Sequence, residues 1–491
     1  MIRKSELTPL ESESPCEFAV RLADISAGKK PAHKKQALGQ FFTPPDTARF
    51  MAKFYSLRED QKHIRILDPG TGSGLLSCAL AEKIAIGKKS VRTIELVCYE
   101  IDDEVISFTR LSLDHLKNWI SNYGIKLEYE LHHKDFVEDN KNVMQENRTQ
   151  DGPKDEKLYD IIISNPPFFK LSKEDPRHSL VSHLIAGQIN IYSVFIFIAS
   201  KMLKDNGEMI FLIPRSFCAG NFFRQFREKL LSFIKFEHIH LFGSGAKIFK
   251  YNSVLSETVI VHARQNSSEK KGIYKISTSF SEKNTGEADF RYSFLFDPKE
   301  NIIPLPSCAS EAELLKTMWS WEGSLKKSNI QVNTGQVVLS KLPKDSLEDN
   351  TTEKHTEKVL VLGLNNSGLN SPKLSAPESY SGEFLKINEQ TRNFLIPNKN
   401  CILLRRYNTK HPDRRIAAVA FLSRSYEGSY IAFEKQVIYL SSSNGELSEN
   451  ETYELAALLN SQRIDNYLKI IYGDINITPE ELLNLPLPSE E

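Results

Sequence analysis

"RILDPGTGSGLLSCAL", residues 65–80, decides how the first half of the chain folds. An apolar run, a Gly-rich segment and a helical pattern follow one another, which reads as strand, tight turn and helix. Gly70, Gly72 and Gly74 permit a close turn and a close approach of a ligand to the backbone at the carboxyl edge of a sheet. A dinucleotide site is the first reading of such a turn, and a plain glycine turn is its alternative. Asp68 stands at the strand tip, ahead of the glycines. A carboxylate there would repel a pyrophosphate and suits a ligand carrying positive charge. S-adenosylmethionine, with its ammonium and sulfonium, is such a ligand.

Around this stretch, residues 38–262 alternate short apolar runs with helical patterns. "IRILDP", "IELVCYEI", "YDIIISN", "GEMIFLIP", "FEHIHLFG" and "ETVIVHA" read as strands. "GLLSCALAEKI", "DDEVISFTRLSLDHLKNWI", "IYSVFIFIASKML" and "FFRQFREKLLSFI" read as the helices between them. Strands apolar on both faces and separated by helices predict an α/β, doubly wound, mostly parallel Rossmann-like sheet. The polar stretch at 263–273 reads as a linker. The expected organisation is an N-terminal extension (1–37), a catalytic domain (38–264) and a mixed α+β recognition domain (274–491). Within the last, residues 343–358 and 365–382 read as loops of low complexity.

At 491 residues the chain is too long for one core. Its composition, 40% hydrophobic and 26% charged, fits a soluble globular protein, and no apolar run reaches the length of a membrane span. The N-terminus lacks a signal-peptide core. Six scattered cysteines without a CxxC pair argue for free thiols in the cytoplasm, and against structural zinc. Because formal net charge is zero, any nucleic-acid partner must be met by local patches.

Downstream of the glycines, "LVCYEID" places Glu100 at a second strand tip, where an acid can accept both ribose hydroxyls. Asp102 is the weaker candidate. "HHKDFV" offers Asp135 as acceptor for an adenine amino group and Phe136 as a ring to pack on its face. Upstream, "LGQFFTPPDTARFMAKF" reads as a capped helix with Thr43 as N-cap, Pro44 at the first helical position and Asp46 completing a capping box. The amides of that helix start can hold the cofactor's methionine carboxylate.

"DIIISNPPFFK" (160–170) ends an apolar strand on Asn-Pro-Pro-Phe. A turn alone needs no such sequence. An exocyclic amine conjugated with a ring is a poor nucleophile, because its lone pair is delocalised. Two acceptors binding both amino hydrogens draw the nitrogen toward tetrahedral geometry. The Asn165 side-chain carbonyl and the Pro166 backbone carbonyl supply that pair. Pro166 and Pro167 fix φ and remove competing N–H donors. Phe168 presents a face on which a planar base can stack, and Phe169 is left to the core. The alternative is a strand-ending turn in which the prolines only stop a helix.

In order, "LGQFFTPPD", "DPGTGSG", "YEID", "DF", "SNPPF", "NIYSVFIFIASKML" and "LIPRSFCAGNFFRQFR" resemble the motif series of gamma-class DNA adenine amino-methyltransferases. These are type II restriction–modification enzymes related to the Thermus TCGA methylase. "PRSFCAGNFFRQFR" and "LLRRYNTKHPDRR" are most similar to the branch acting on PstI- and XhoI-type sites. The resemblance is specific over about residues 36–262. It implies that Thr43, Asp68, Gly70 and Gly72 surround the methionine end of S-adenosylmethionine. It gives Glu100 to the ribose, Asp135 with Phe136 to the adenine, and Phe195 to the wall of that pocket. Asn165, Pro166, Pro167 and Phe168 would hold a target base turned out of duplex DNA. Phe223 would be the second stacking aromatic, with Phe222 as its near alternative. The chain departs from the family in carrying Phe168 where Tyr is commoner and in a long charged stretch at 137–158. "LFGSGAKIF" (241–249) reads as a loop outside the cofactor site.

The resemblance also implies that residues 274–491 grip DNA. Residues 386–415 hold eight Lys/Arg against two acids. Arg405 and Arg406 are candidate base readers there, and Arg414 and Arg415 candidate phosphate contacts. "GKKPAHKKQ" (28–36) is a second basic patch. A cognate restriction endonuclease is the partner such enzymes imply, and a monomer acting on each strand separately is the expected state. The rivals are a methyltransferase of RNA guanine or protein glutamine using the same Asn-Pro-Pro-Phe chemistry, and a catalytically silent DNA-binding module.

Overall fold

The computed structural model describes residues 4–29, 43–87, 90–145, 158–187, 189–242, 258–265, 273–281, 284–291, 302–343, 346–348, 358–369, 377, 383–406, 414–473 and 477–488. Several expectations fall outside them: the 28–36 patch beyond Lys29, most of the 241–249 loop, residues 146–157 of the charged stretch, 407–413 of the basic segment, and much of the two low-complexity stretches. The chain divides into two compact units, Met1–Ser307 and Cys308–Glu491.

The first unit is built on a nine-stranded sheet in the order β3-β2-β1-β4-β5-β7-β6-β8-β9. Its strands are β1 (His63–Pro69), β2 (Thr93–Tyr99), β3 (Lys126–His132), β4 (Tyr159–Ser164), β5 (Leu203–Pro214), β6 (Ile234–Phe242), β7 (Thr258–Gln265), β8 (Ile273–Ser281) and β9 (Asn284–Arg291). The neighbours from β3 to β5 pair in parallel, while β7 runs antiparallel between β5 and β6. Ile66 and Leu67 of β1 lie in register with Ile161 and Ile162 of β4. Ile161, Ile162 and Ile163 are all fully buried. At roughly 1.5–3 kcal/mol for each buried side chain, this triplet anchors the central strand firmly. The sheet is doubly wound and mostly parallel, as the strand–helix alternation predicts.

The helices that position the site are α1 (Pro15–Lys29), α2 (Pro45–Lys53), α3 (Leu75–Gly87), α4 (Ile106–Ser121), α5 (Phe136–Asn140), α6 (Ile191–Ser200) and α7 (Arg224–Leu230). All ten side chains of α6 are buried, which explains why its sequence is apolar all round.

Three expectations about organisation differ from the structure. Helix α1, placed by sequence in an extension, packs Phe18 and Leu22 against Phe108 of α4, and its Cys16 N–H donates to Glu82 Oε1 at 2.7 Å. Strand β3 escaped notice because it lies at the sheet edge, where Leu127 is its one fully buried side chain. Strands β8 and β9, assigned beyond a linker, continue the catalytic sheet through parallel pairing of β6 with β8.

The second unit is mixed α+β. A four-stranded antiparallel sheet joins Ile330–Thr334, Val437–Ser442, Cys401–Arg405 and Ala418–Phe421. A five-stranded sheet centres on Lys358–Leu362, which pairs antiparallel with Phe384–Lys386 and parallel with Tyr430–Phe433. Capping boxes start its helices Glu449–Leu459 and Pro479–Leu483.

Candidate active site

The carboxyl ends of β1, β2 and β4 converge. Gly70 and Thr71 donate their N–H groups to the Tyr99 carbonyl at 3.0 and 2.8 Å, tying the glycine turn to the end of β2. Ser164 Oγ, the last residue of β4, donates to the Pro69 carbonyl at 2.7 Å. Gly70 has φ +78°, and a Cβ there would sit 3.5 Å from Phe195 Cε1 and 3.9 Å from Pro167 Cδ. A side chain at this point is strained by the backbone and occupies the space between turn and catalytic segment. Gly74, at φ +86°, starts α3 with its carbonyl accepting from the Cys78 N–H.

Asp68 lies beneath this turn. Its carboxylate is fully buried; Oδ2 accepts from Ser77 Oγ at 2.6 Å and Thr71 Oγ1 at 2.9 Å. Oδ1 is buried with no hydrogen-bond partner among the described residues. The direct contacts of Asp68 therefore brace the loop from below, which corrects the expectation of an acid facing the ligand. Burial pushes its carboxyl up to about 6, against the lowering pull of the Ser77 and Thr71 hydroxyls. The native carboxyl thus keeps its proton where the unfolded chain, at 3.8, has lost it. The resulting stabilisation is complete below the unfolded value and is lost as pH rises to about 6. At 1.36 kcal/mol for each unit of pKa, the change amounts to about 3 kcal/mol. Asp68→Asn should gain stability relative to the parent between pH 4 and 6 and hold a constant difference above that. Urea unfolding at stepped pH checks this, and a pH-independent difference contradicts it.

Glu100 is the acid that faces the turn. Its Oε2 accepts from the Gly72 N–H and its Oε1 from the Asp102 N–H, both at 2.9 Å. Burial raises its carboxyl above the usual range, opposed by those backbone donors. Each oxygen keeps a second lone pair, so two ribose hydroxyls can be accepted. Phe136, almost fully buried, meets Tyr99 at 5.3 Å and Phe195 at 5.1 Å between ring centroids. Glu100, the glycine turn and this aromatic wall form a cradle that fits an adenosyl group.

Asp135 caps α5, its Oδ1 accepting from the Val137 and Glu138 N–H groups at 2.8 and 3.1 Å. Its Oδ2 accepts from Arg177 Nη1 at 2.9 Å, and Arg177 grips Asp175 through Nε and Nη2 at 2.9 and 2.6 Å. Arg177 carries no motif signal in the sequence. Its guanidinium lies 5.6 Å from the Phe169 ring centroid, and Phe169 is half-buried. Phe169 therefore belongs to this surface linkage and not to the core, another correction.

At the end of β4, Asn165 Nδ2 donates to Thr43 Oγ1 at 3.1 Å. Thr43 is not the N-cap of α2. Pro44 holds that position with φ −61° and ψ 146°, Pro45 is the first helical residue, and neither Thr43 nor Asp46 makes a capping bond. The second proline shifts the helix start by one residue, because its missing N–H costs nothing there. Pro166 is buried, while Pro167 and Phe168 are partly exposed. Tyr192 of α6, fully buried and hydrogen-bonded to Ser216 Oγ at 3.0 Å, links the two stacking candidates. Phe168 meets its ring edge-on at 6.4 Å, and Phe223 lies over it at 6.5 Å with 26° between planes. Phe222 is 53% exposed. Its carbonyl accepts from the Ala186 N–H at 3.1 Å. Tyr192 was legible only as part of an apolar helix.

In the second unit, Arg405 is buried and its Nη2 donates to the Leu369 carbonyl at 2.7 Å. All five residues of its strand are buried, so it supports the core and does not offer its guanidinium to a groove. Arg406 is partly exposed, Arg414 is exposed with Nη1 donating to the Asn460 carbonyl at 3.2 Å, and the Arg415 N–H donates to Asp465 Oδ1.

Residues 83–249 match the Eco57I restriction-modification methylase family. The chain is 28% identical over 474 residues to the type II methyltransferase M.BsuBI of Bacillus subtilis, covering 93% of this chain and 89% of that protein. It is 26% identical over 462 residues to M.PstI of Providencia stuartii, covering 93% and 88%. Over nearly its whole length the chain is thus similar to PstI-like type II methyltransferases. Its cofactor is S-adenosylmethionine, which supplies the methyl group, and the cradle above contains residues able to hold it. Among solved structures, the type IIG restriction endonuclease BpuSI aligns with a TM-score of 0.48 at 14% identity, covering 97% of this chain and 61% of that one. Among the described residues, no helix is long and apolar enough to cross a membrane, and no His/Cys/Asp/Glu group could hold a metal.

Proposed function

We propose that this methyltransferase acts on the exocyclic amino group of an adenine turned out of duplex DNA. The observation that carries the reading is the Asn165–Thr43 hydrogen bond. In the orientation the structure gives, with Nδ2 toward Thr43, the amide turns Oδ1 the other way, as an acceptor. The Pro166 carbonyl follows it in a segment that two prolines hold rigid. Two acceptors suit an amine with two hydrogens. They align the nitrogen with the methyl group without any covalent nucleophile, so positioning supplies most of the rate. Phe168 and Phe223, joined through Tyr192, would stack on the base.

Glu100 would hold the ribose, and Phe136 with Phe195 the cofactor adenine. Asp135 would accept from the adenine amino group with the oxygen that Arg177 now also uses. Asp68 would act through the glycine turn it braces, and Thr43 would lie at the methionine end. The second unit would bind DNA, with Arg406, Arg414 and Arg415 as candidate contacts. Coverage of nearly the whole chain by two type II methyltransferases supports DNA over RNA or protein as the substrate. A cytoplasmic monomer, protecting host DNA from a cognate endonuclease, completes the reading.

Expression in a host lacking adenine methylation tests it. Modification-detecting sequencing should find methylated adenine in one recurring sequence. Modified cytosine alone, or unmodified DNA from cells making active protein, would sink the proposal.

A further inference from the structure

The Asn165 side chain has a donor end and an acceptor end of nearly equal size. Turned by half a revolution, it would point N–H groups at an amine that is itself a donor. Thr43 Oγ1 accepts from Asn165 Nδ2 at 3.1 Å and reaches across 122 residues of sequence to do so. Both side chains are half-buried, which limits how far water can take over either role.

A hydroxyl both donates and accepts, so the bond alone does not choose an orientation. The choice is made by where the hydroxyl proton goes. Thr43 stands immediately before the Pro44–Pro45 start of α2, where the first helical residue has no N–H. If its proton is drawn to an anionic group there, such as the cofactor's carboxylate, the oxygen is left only as an acceptor. Nδ2 must then face Thr43 and Oδ1 the target. Linked hydrogen bonds also polarise one another, which strengthens Oδ1 as an acceptor.

We propose that Thr43 is a positioning residue that sets the amide orientation of Asn165, and so controls the methyl-transfer step beyond any contact with the cofactor. This rests on the reading of Asn165 given above. Wild-type methyl transfer to adenine tests that reading by itself, whereas Thr43 variants test the present one.

The experiment compares Thr43→Val and Thr43→Ser with the parent, using unmodified phage DNA and labelled S-adenosylmethionine, with cofactor Kd measured by calorimetry. Valine keeps the shape and removes the hydroxyl. It should lower kcat at saturating cofactor and DNA about 10- to 100-fold, with a smaller change in cofactor Kd. Serine should stay within about threefold of the parent in both. In an Asn165→Ala background, Thr43→Val should have no further effect on residual turnover, because the amide it acts through is gone. A Thr43→Val enzyme with kcat within threefold of the parent would overturn the proposal. So would a loss that is repeated in full in the Asn165→Ala background, which marks a general structural role. Thermal melting of each variant separates these results from misfolding.

Discussion

Asn165→Ala should give a folded protein that binds S-adenosylmethionine and DNA yet transfers methyl groups about a hundred- to a thousandfold more slowly, the scale seen on removing one preorganised polar group from an active site. The side chain is partly exposed at the end of β4, and its Nδ2 donates to Thr43 Oγ1. Truncation therefore disturbs little of the core. Losing that bond costs about 1 kcal/mol of stability, too little to unfold a chain with this sheet. The chemical loss is larger, because the target amine would keep one acceptor, at Pro166, and its lone pair would stay conjugated with the ring. Single-turnover transfer of labelled methyl groups, alongside calorimetric cofactor binding and a melting curve, separates the two effects. Turnover within tenfold of the parent would show that the Asn165 carbonyl is not part of the chemistry.

The second large effect lies at the cofactor. Glu100→Ala should weaken S-adenosylmethionine binding at least about 100-fold, equivalent to about 2.7 kcal/mol. Two losses add. The cofactor ribose loses its acceptors, and the Gly72 and Asp102 N–H groups lose the carboxylate that fixes them. Hydrogen bonds to a charged group are each worth about 1.5–3 kcal/mol, so the glycine turn should loosen as well. Glu100→Gln should fall between the two, since an amide keeps one acceptor oxygen and sets an NH2 against one of those donors. Calorimetry with S-adenosylmethionine measures both variants. A Kd for Glu100→Ala within threefold of the parent would remove Glu100 from the cofactor site.

How far the sequence could be read depended on how local each signal is. β1, β2 and β4 announce themselves through continuous apolar runs, and their polar tips mark the sheet edge where ligands bind. The glycine turn, Glu100 and the Asn-Pro-Pro-Phe segment all emerge at that edge as expected. What stayed hidden depends on contacts distant in sequence. The Thr43–Asn165 bond spans 122 residues and left Thr43 looking like an ordinary helix cap. Arg177 joins Asp135 to the segment after Phe168 from a stretch without any motif. Asp68 reads as a ligand-facing acid because strand position does not reveal that Ser77 and Thr71 enclose it. Edge strand β3 was missed because few of its side chains are buried. The strands β8 and β9 were placed beyond the domain because a polar linker precedes them. Arg405 sits in a basic stretch, yet its strand alternates between two covered faces, so charge alone misplaced it.

The central claim is that Asn165 and Pro166 deliver an adenine amino group to the methyl donor. Its most direct measurement is transfer of tritiated methyl groups from S-adenosylmethionine to unmodified duplex DNA, followed by digestion to nucleosides and separation. The label should co-migrate with N6-methyldeoxyadenosine for the parent and fall to near background for Asn165→Ala. Label in a methylated cytosine nucleoside, or undiminished label in adenine from the Asn165→Ala protein, would contradict it.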